Sequence, residues 1–163
     1  MKRLLLAPVA FVSIGAVHAA DPPSLKEGLW SIHTVSTDQP GNKKTEGTRS
    51  ICRNRTYDER VRAQAKAKAM ACKIHTENYA GSKYESESEC AVQGMTIHTK
   101  GITTASGENA THTESSTTYT PAFNGISAAT MIMDQKYVGA CPAGMAPGDM
   151  MSADGRVIHR GIH

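Results

Sequence analysis

The chain has 163 residues, of which 39% are hydrophobic, 5% aromatic and 20% charged, with 18 basic against 15 acidic side chains. This length suits one domain with a modest core, and the near balance of charge argues against a nucleic-acid partner. The low aromatic content predicts a thin core that depends on covalent cross-links.

The first residues have the pattern of a secretory signal peptide. Lys2 and Arg3 precede an apolar run, and residues 17–19 supply the small side chains that a signal peptidase needs. The run is interrupted and falls short of the about 20 apolar residues of a membrane-spanning helix. We therefore expect export, cleavage after Ala19 and no transmembrane segment after cleavage.

Alternating apolar and polar residues predict about seven β-strands. Asn124-Gly125 is the strongest hairpin signal, because this pair readily adopts the positive φ angles of a type I′ turn. Thr56, with Glu59 three residues on, predicts the N-cap of one Ala-rich helix that ends near Ala71. The predicted strands cover residues 28–37, 45–52, 72–79, 83–90, 95–103, 110–120 and 127–138.

These elements predict a mainly β fold. Consecutive hairpins form an antiparallel meander of about seven strands, curled or barrel-like, with one α-helix inserted between the second and third strands. We expect residues 1–19 to be the signal peptide and residues 20–141 to be a single disulfide-stapled β domain. Residues 142–163, rich in Gly and Pro, predict an irregular C-terminal tail.

The segment from Cys72 to Cys90 has the pattern of a β-hairpin with a turn at residues 80–82. If Tyr79 pairs with Lys83 around that turn, the two cysteines lie directly opposite each other. This geometry brings their sulfur atoms within reach of a disulfide.

Four cysteines in an exported chain predict two disulfides, for which three pairings exist. The hairpin register favours Cys72 with Cys90, and elimination leaves Cys52 with Cys141. The second bridge closes the longer loop and should contribute more to stability. The cysteines lack the paired spacing of a zinc site, and no Cys-x-x-Cys redox motif occurs.

The order of these features resembles one family of small bacterial envelope proteins. The series begins with Gly28-Leu29-Trp30 and a second strand that ends in a cysteine. A helix and a cysteine-bounded hairpin follow, and the sheet ends at Gly139-Ala140-Cys141. This order is similar to domain-of-unknown-function family 3617. The resemblance implies a periplasmic location and an all-β fold with a helix, and it carries no activity or functional residues. The chain departs from the family pattern at Ser31, at residues 53–56 and in the 22 residues after the last cysteine.

Histidines on the predicted strands and numerous methionines are candidate metal ligands. In an exported bacterial protein such side chains are typical of a copper site. No histidine has a close ligand partner, however, and His75 faces Glu87 in the hairpin register above. We therefore expect no metal and no cofactor, with copper or another metal as an alternative. The candidates are His33, His75, His98, His112, Met95, Met131, Met133, Met145, Met150 and Met151.

Charge is unevenly distributed along the chain. Residues 53–73 carry seven basic against two acidic side chains, whereas residues 74–90 carry four acidic against one basic. A solvated helix beside a solvated strand accounts for this pattern. The functional alternative is contact with anionic lipid headgroups or an acidic partner.

The sequence favours a non-catalytic binding or envelope-maintenance module of the periplasm, with an envelope protein or an apolar ligand as its partner. We expect no enzyme, because no nucleophile elbow, phosphate loop or metalloprotease motif occurs. The alternative is a small lipocalin-like carrier, which requires a cavity with an apolar lining. The expected lining includes Trp30, Ile97, Met131 and Met133.

Overall fold

The structure is a computed structural model that describes residues 24–159. Within this range the chain forms nine β-strands in one antiparallel sheet and one α-helix. The expected signal peptide and its cleavage site at Ala19 lie outside the described residues. The elements are β1 (Gly28–Gln39), β2 (Lys43–Arg53), α1 (Arg55–Ala69), β3 (Ile74–Ala80), β4 (Lys83–Val92), β5 (Met95–Ser106), β6 (Ala110–Phe123), β7 (Ile126–Gly139), β8 (Met150–Ser152) and β9 (Val157–Ile158).

The strand order in the sheet is β3-β4-β5-β6-β7-β1-β2-β8-β9. A mainly β, antiparallel fold with the helix between the second and third strands is confirmed. The prediction of a curled or barrel-like sheet is wrong, because the sheet is open and not strongly curled. Closure would require the two edge strands, β3 and β9, to pair with each other, and no such pairing occurs in residues 24–159.

The C-terminal segment is more ordered than the predicted irregular tail. Strands β8 and β9 extend the sheet beyond β2. Before them, Cys52 N donates a hydrogen bond of 3.0 Å to Asp149 O, and Gly148 N donates one of 2.8 Å to Cys52 O. These backbone bonds attach the segment to the end of β2, which accounts for its order.

The turn between β6 and β7 has the predicted conformation. Asn124 has a φ of 49° and Gly125 a φ of 82°, and Phe123 pairs with Ile126 across them. Positive φ at both central residues is the property of a type I′ turn.

The register of the β3–β4 hairpin differs from the prediction by one residue. Tyr79 pairs with Tyr84, not with Lys83, so the loop contains two residues and not three. The two tyrosine rings lie with their centroids 4.5 Å apart, and a cross-strand aromatic contact of this kind stabilises the observed register. As a result His75 opposes Ser88 and not the predicted Glu87.

The helix α1 begins before the predicted N-cap. Asn54 and not Thr56 caps it, because the Asn54 side chain accepts a hydrogen bond of 2.8 Å from Tyr57 N. Arg53 Nε lies 2.9 Å from Asp58 Oδ1, so an ion pair ties the first turn to the end of β2. The helix starts as soon as the strand ends.

A small apolar core lies where α1 leaves the sheet. Trp30 is fully buried, and Ile32 and Ile51 are nearly so. The Trp30 Nε1 group donates a hydrogen bond of 2.8 Å to Lys26 O, which satisfies the only polar atom of the indole. The residues packed against this core are Leu25, Tyr57, Met133, Tyr137 and Met150.

Candidate functional site

Both disulfides lie at the ends of α1. Cys52 bonds to Cys141 and Cys72 bonds to Cys90, with Cα atoms 5.6 Å and 4.2 Å apart. These are the two pairs that the sequence predicts. Five strands separate β2 from β3 in the sheet, so α1, which connects the two, has to cross the sheet. The bridges therefore fasten both ends of the helix to the sheet that it crosses.

Alternating side chains divide the sheet into two faces. Directly opposed residues share a face, so the register places Thr111, Gln135, Ile32 and Arg49 in one row across β6, β7, β1 and β2. This row belongs to the α1 face, which is the side of the sheet that the helix crosses. We call the other side the outer face.

A groove of about 1400 Å³ lies between α1 and the α1 face. None of the helix residues is buried, so the helix does not fill the space beneath it. Pockets for small molecules commonly have about 300–1,000 Å³, so this groove admits a larger or elongated ligand. Its apolar and aromatic lining consists of Leu25, Ile32, Ile51, Tyr57, Val61, Ala63, Ala65, Tyr79, Tyr84, Ala105, Met133 and Met150.

The groove overlaps only in part with the predicted carrier cavity. Met133 lines it, whereas Trp30 is buried in the core, and Ile97 and Met131 are not among the lining residues. Sequence reasoning missed Thr111, because a threonine in a Thr-rich strand carries no apolar signal. The hairpin pairing was the one signal that pointed to Tyr79 and Tyr84.

One side of the groove is held by an arginine with several contacts. Arg53 donates to Asp58 Oδ1 and, over 2.9 Å, to Gln135 Oε1, and its guanidinium lies 5.1 Å from the centre of the Trp30 ring. Arg53 is only 14% exposed, so its charge is well shielded from solvent. The contacts fix the start of α1 over β7 and β1.

The opposite side of the groove is formed by the two tyrosines of the β3–β4 hairpin. Tyr84 Oη donates a hydrogen bond of 2.9 Å to Glu77 Oε1. Burial, together with this bond to a carboxylate, raises the pKa of Tyr84 far above its ordinary value. Burial and the charge of Glu77 also raise the pKa of Tyr79. Both phenols stay neutral and present aromatic surface to the groove.

The outer face carries ion pairs and an open pocket of about 650 Å³, whose lining includes Glu85, Glu87, Lys100 and Glu114. His112 lies 2.7 Å from Asp134 and 3.2 Å from Glu114, and hydrogen bonds to these carboxylates raise its pKa. Glu87 lies 2.8 Å from His98 Nε2, and its bonds to His98 and Lys100 lower its pKa.

The remaining histidines of the copper alternative are also beside carboxylates. His75 Nε2 lies 3.6 Å from Glu77 on its own strand, and His33 Nε2 lies 3.4 Å from Glu46. Among residues 24–159, no three His, Cys, Asp or Glu side chains are grouped so as to hold a metal ion. A membrane-spanning helix is likewise absent from this range, where α1 has 15 residues.

Comparison with known proteins gives one match. A family model described as "Protein of unknown function (DUF3617)" matches residues 25–141, which is most of the chain. The chain belongs to family DUF3617. No curated protein and no solved structure matches it.

The DUF3617 match contains both disulfides and every lining residue of the groove except Ser24 and Met150. It runs from Leu25, which packs against the core, to Cys141, the partner of Cys52. Strands β8 and β9 lie beyond it, so Met150 lines the groove from outside the family match. Two disulfides in such a domain point to an extracytoplasmic location.

Proposed function

We propose that this DUF3617 domain is a non-catalytic binding module of the periplasm, and that its ligand is an elongated apolar molecule held in the groove beneath α1. The observation that carries the proposal is the unfilled space between a helix without buried residues and a sheet face with apolar side chains. A packed domain normally places the apolar side of a helix directly on the sheet.

The way α1 is held indicates that the unfilled space is a ligand groove and not a packing defect. The disulfides and the Arg53–Asp58 ion pair fasten α1 at its ends, so the middle of the helix stays over the sheet without being packed on it. An empty apolar gap of this size would cost the fold many dispersion contacts. A ligand that fills the gap restores those contacts.

A non-catalytic role fits the groups that border the groove. They are aliphatic and aromatic side chains, hydroxyls, the Gln135 amide and charged side chains. Asp58 is neutralised by Arg53, and Glu77 accepts from Tyr84. No nucleophile, base and orienting group meet among the described lining residues, which is the arrangement that acid–base catalysis requires.

Filling the groove tests the proposal. Ala65 and Ala67 are exposed residues of the same helix, and only Ala65 lines the groove. In Ala65→Phe the added ring occupies part of the groove, whereas in the control Ala67→Phe the ring points elsewhere. The probe is N-phenyl-1-naphthylamine, an uncharged apolar dye whose fluorescence rises in an apolar site.

The wild type and Ala67→Phe should bind one dye per chain, and Ala65→Phe should bind about tenfold more weakly, which corresponds to ~1.4 kcal/mol. Circular dichroism should show equal folding of the three proteins. Equal affinity of all three, or no saturable binding by the wild type, would overturn the proposal. Native mass spectrometry of protein isolated from its own compartment should show a bound apolar mass, whereas a bound protein would favour a partner-binding module.

A further inference from the structure

The charged groups around the groove are unequal in sign. Five basic side chains line it against three acidic ones, Asp58, Glu59 and Glu77. Asp58 is neutralised by Arg53 at 2.9 Å, and Glu77 accepts the Tyr84 hydroxyl. Among residues 24–159, neither Arg49 nor Lys66 forms an ion pair, so positive charge is left in excess.

The helix offers an apolar row and a cationic row to the same groove. Val61 and Ala65 lie four residues apart, as do Arg62 and Lys66, and all four line the groove. Residues at this spacing lie one above the other on a helix surface. The two rows are adjacent, because each residue of the second follows directly after one of the first.

Three polar residues of the groove floor lie in one row of the sheet. They are Thr111, Gln135 and Arg49 of β6, β7 and β2, with Ile32 of β1 between Gln135 and Arg49. Thr111 is 7% exposed, and its hydroxyl has no hydrogen-bond partner in the described part of the chain. A buried hydroxyl without a partner is unfavourable, so it indicates a group that the fold itself does not supply.

The neighbouring row of the groove floor is more apolar than the row that contains Thr111. It contains Met133 and the two tyrosines of the β3–β4 hairpin, while the hydroxyls of Thr103 and Thr113 between them bond to each other at 2.9 Å. Thr34, which pairs with Met133 in the same row, also has a buried hydroxyl without a partner among the described residues, but it does not line the groove. The residues of this row that line the groove are Tyr79, Tyr84, Thr103 and Met133, and they present mainly carbon surface. An apolar tail fits here and a polar head fits the row of Thr111.

We propose that the ligand of this groove is an anionic amphiphile, an acyl chain with a phosphate or carboxylate head. The head lies among Arg49, Arg62 and Lys66 and accepts a hydrogen bond from the Thr111 hydroxyl, and the chain lies along Met133, Tyr84 and Tyr79. This inference rests on the proposed function, which requires only an apolar ligand.

A pair of ligands with the same tail separates the two proposals. Dodecyl phosphate and dodecyltrimethylammonium have equal chains and opposite charge. Each is titrated below its micelle concentration against the protein loaded with N-phenyl-1-naphthylamine. The phosphate should displace the dye at a concentration at least about tenfold lower. Equal displacement would overturn the anionic head and leave the groove as a site for apolar ligands. Failure of the protein to bind the dye would overturn both.

Variants locate the head. Replacing Arg49, Arg62 and Lys66 by Gln should abolish the preference for dodecyl phosphate. The control, with Lys43, Lys44 and Lys68 replaced by Gln, removes the same charge from positions outside the groove lining and should keep the preference. Loss of the preference in both variants would show that net charge alone attracts the ligand, and would overturn the assigned head site.

Thr111→Val provides a readout that a structural role would not produce. The valine has the shape of threonine without the hydroxyl, so the urea midpoint of unfolding should be unchanged or higher. The affinity for dodecyl phosphate should fall several-fold, while the affinity for the uncharged dye stays the same. A lower midpoint together with unchanged phosphate affinity would overturn the role of this hydroxyl.

Discussion

The bridge between Cys52 and Cys141 should stabilise the fold more than the bridge between Cys72 and Cys90. Their sequence separations are 89 and 18 residues. Chain-entropy arithmetic gives contributions of about 4.6 and about 3.2 kcal/mol at 25 °C, a difference of about 1.4 kcal/mol. Cys52 is also 1% exposed, so its loss removes packing at the end of β2 as well.

The comparison uses two double variants in which each cysteine pair is replaced by alanine, which leaves no free thiol and buries no new polar group. Equilibrium unfolding in urea can be followed by the fluorescence of Trp30, the only tryptophan of the chain and fully buried. We expect the free energy of unfolding to fall by at least about 4.6 kcal/mol in the variant without the long bridge and by about 3.2 kcal/mol in the other.

Equal losses, or a larger loss for the short bridge, would refute the reasoning from loop length.

The two bridges should differ in the opposite sense in their effect on dye binding. Removing the Cys72–Cys90 bridge releases the C-terminal end of α1 from β4, so this variant should bind N-phenyl-1-naphthylamine more weakly even where it is fully folded.

A Cβ atom at Gly28, which has a φ of 139°, would clash with the Gly139 carbonyl oxygen, so Gly28→Ala should cost at least about 2 kcal/mol in urea unfolding. At Gly47 an added Cβ meets open space, so Gly47→Ala should be neutral or stabilising. Asn54→Ala should cost about 1 kcal/mol because a helix cap is lost, and Thr56→Ala should cost less; the reverse order would restore Thr56 as the cap. His112 should titrate above 6.5 in NMR spectra. Because the pKa of His112 is raised in the folded state, the charged ring stabilises the fold by less than about 1 kcal/mol at this half-exposed site. This stabilisation is complete below the unfolded pKa and is lost as the pH rises through the folded pKa. His112→Gln should therefore destabilise the protein at pH 5 and not at pH 9.

Local patterns predicted the local structure of this chain well. Alternation located the strands from β1 to β7, and the Asn-Gly pair located the β6–β7 turn. Asn54 and Thr56 are both good capping residues, and the pattern favoured Thr56 because of Glu59. Asn54 caps the helix next to the ion pair between Arg53 and Asp58, and sequence spacing does not reveal this ion pair.

The features that the sequence did not reveal depend on distant partners. The pairing of β7 with β1, and of β8 with β2, decides that the sheet stays open. The groove is bordered by the helix and by strands from both halves of the chain, and its threonines and alanines resemble any others in the sequence. The hairpin register was wrong by one residue, yet Cys72 and Cys90 remained within bonding distance, so the predicted pair did not depend on the exact register.

The position of the long bridge bears on how this protein withstands proteases. The surface of α1 is rich in Lys and Arg and has no buried residue, so trypsin should cut there before it cuts the sheet. A cut anywhere in the helix leaves Cys52 on one fragment and Cys141 on the other, and their bond keeps the two fragments in one molecule. The nicked chain should therefore migrate as a single species on a non-reducing gel and separate into two only after reduction. A protease can thus open the groove without dispersing the domain.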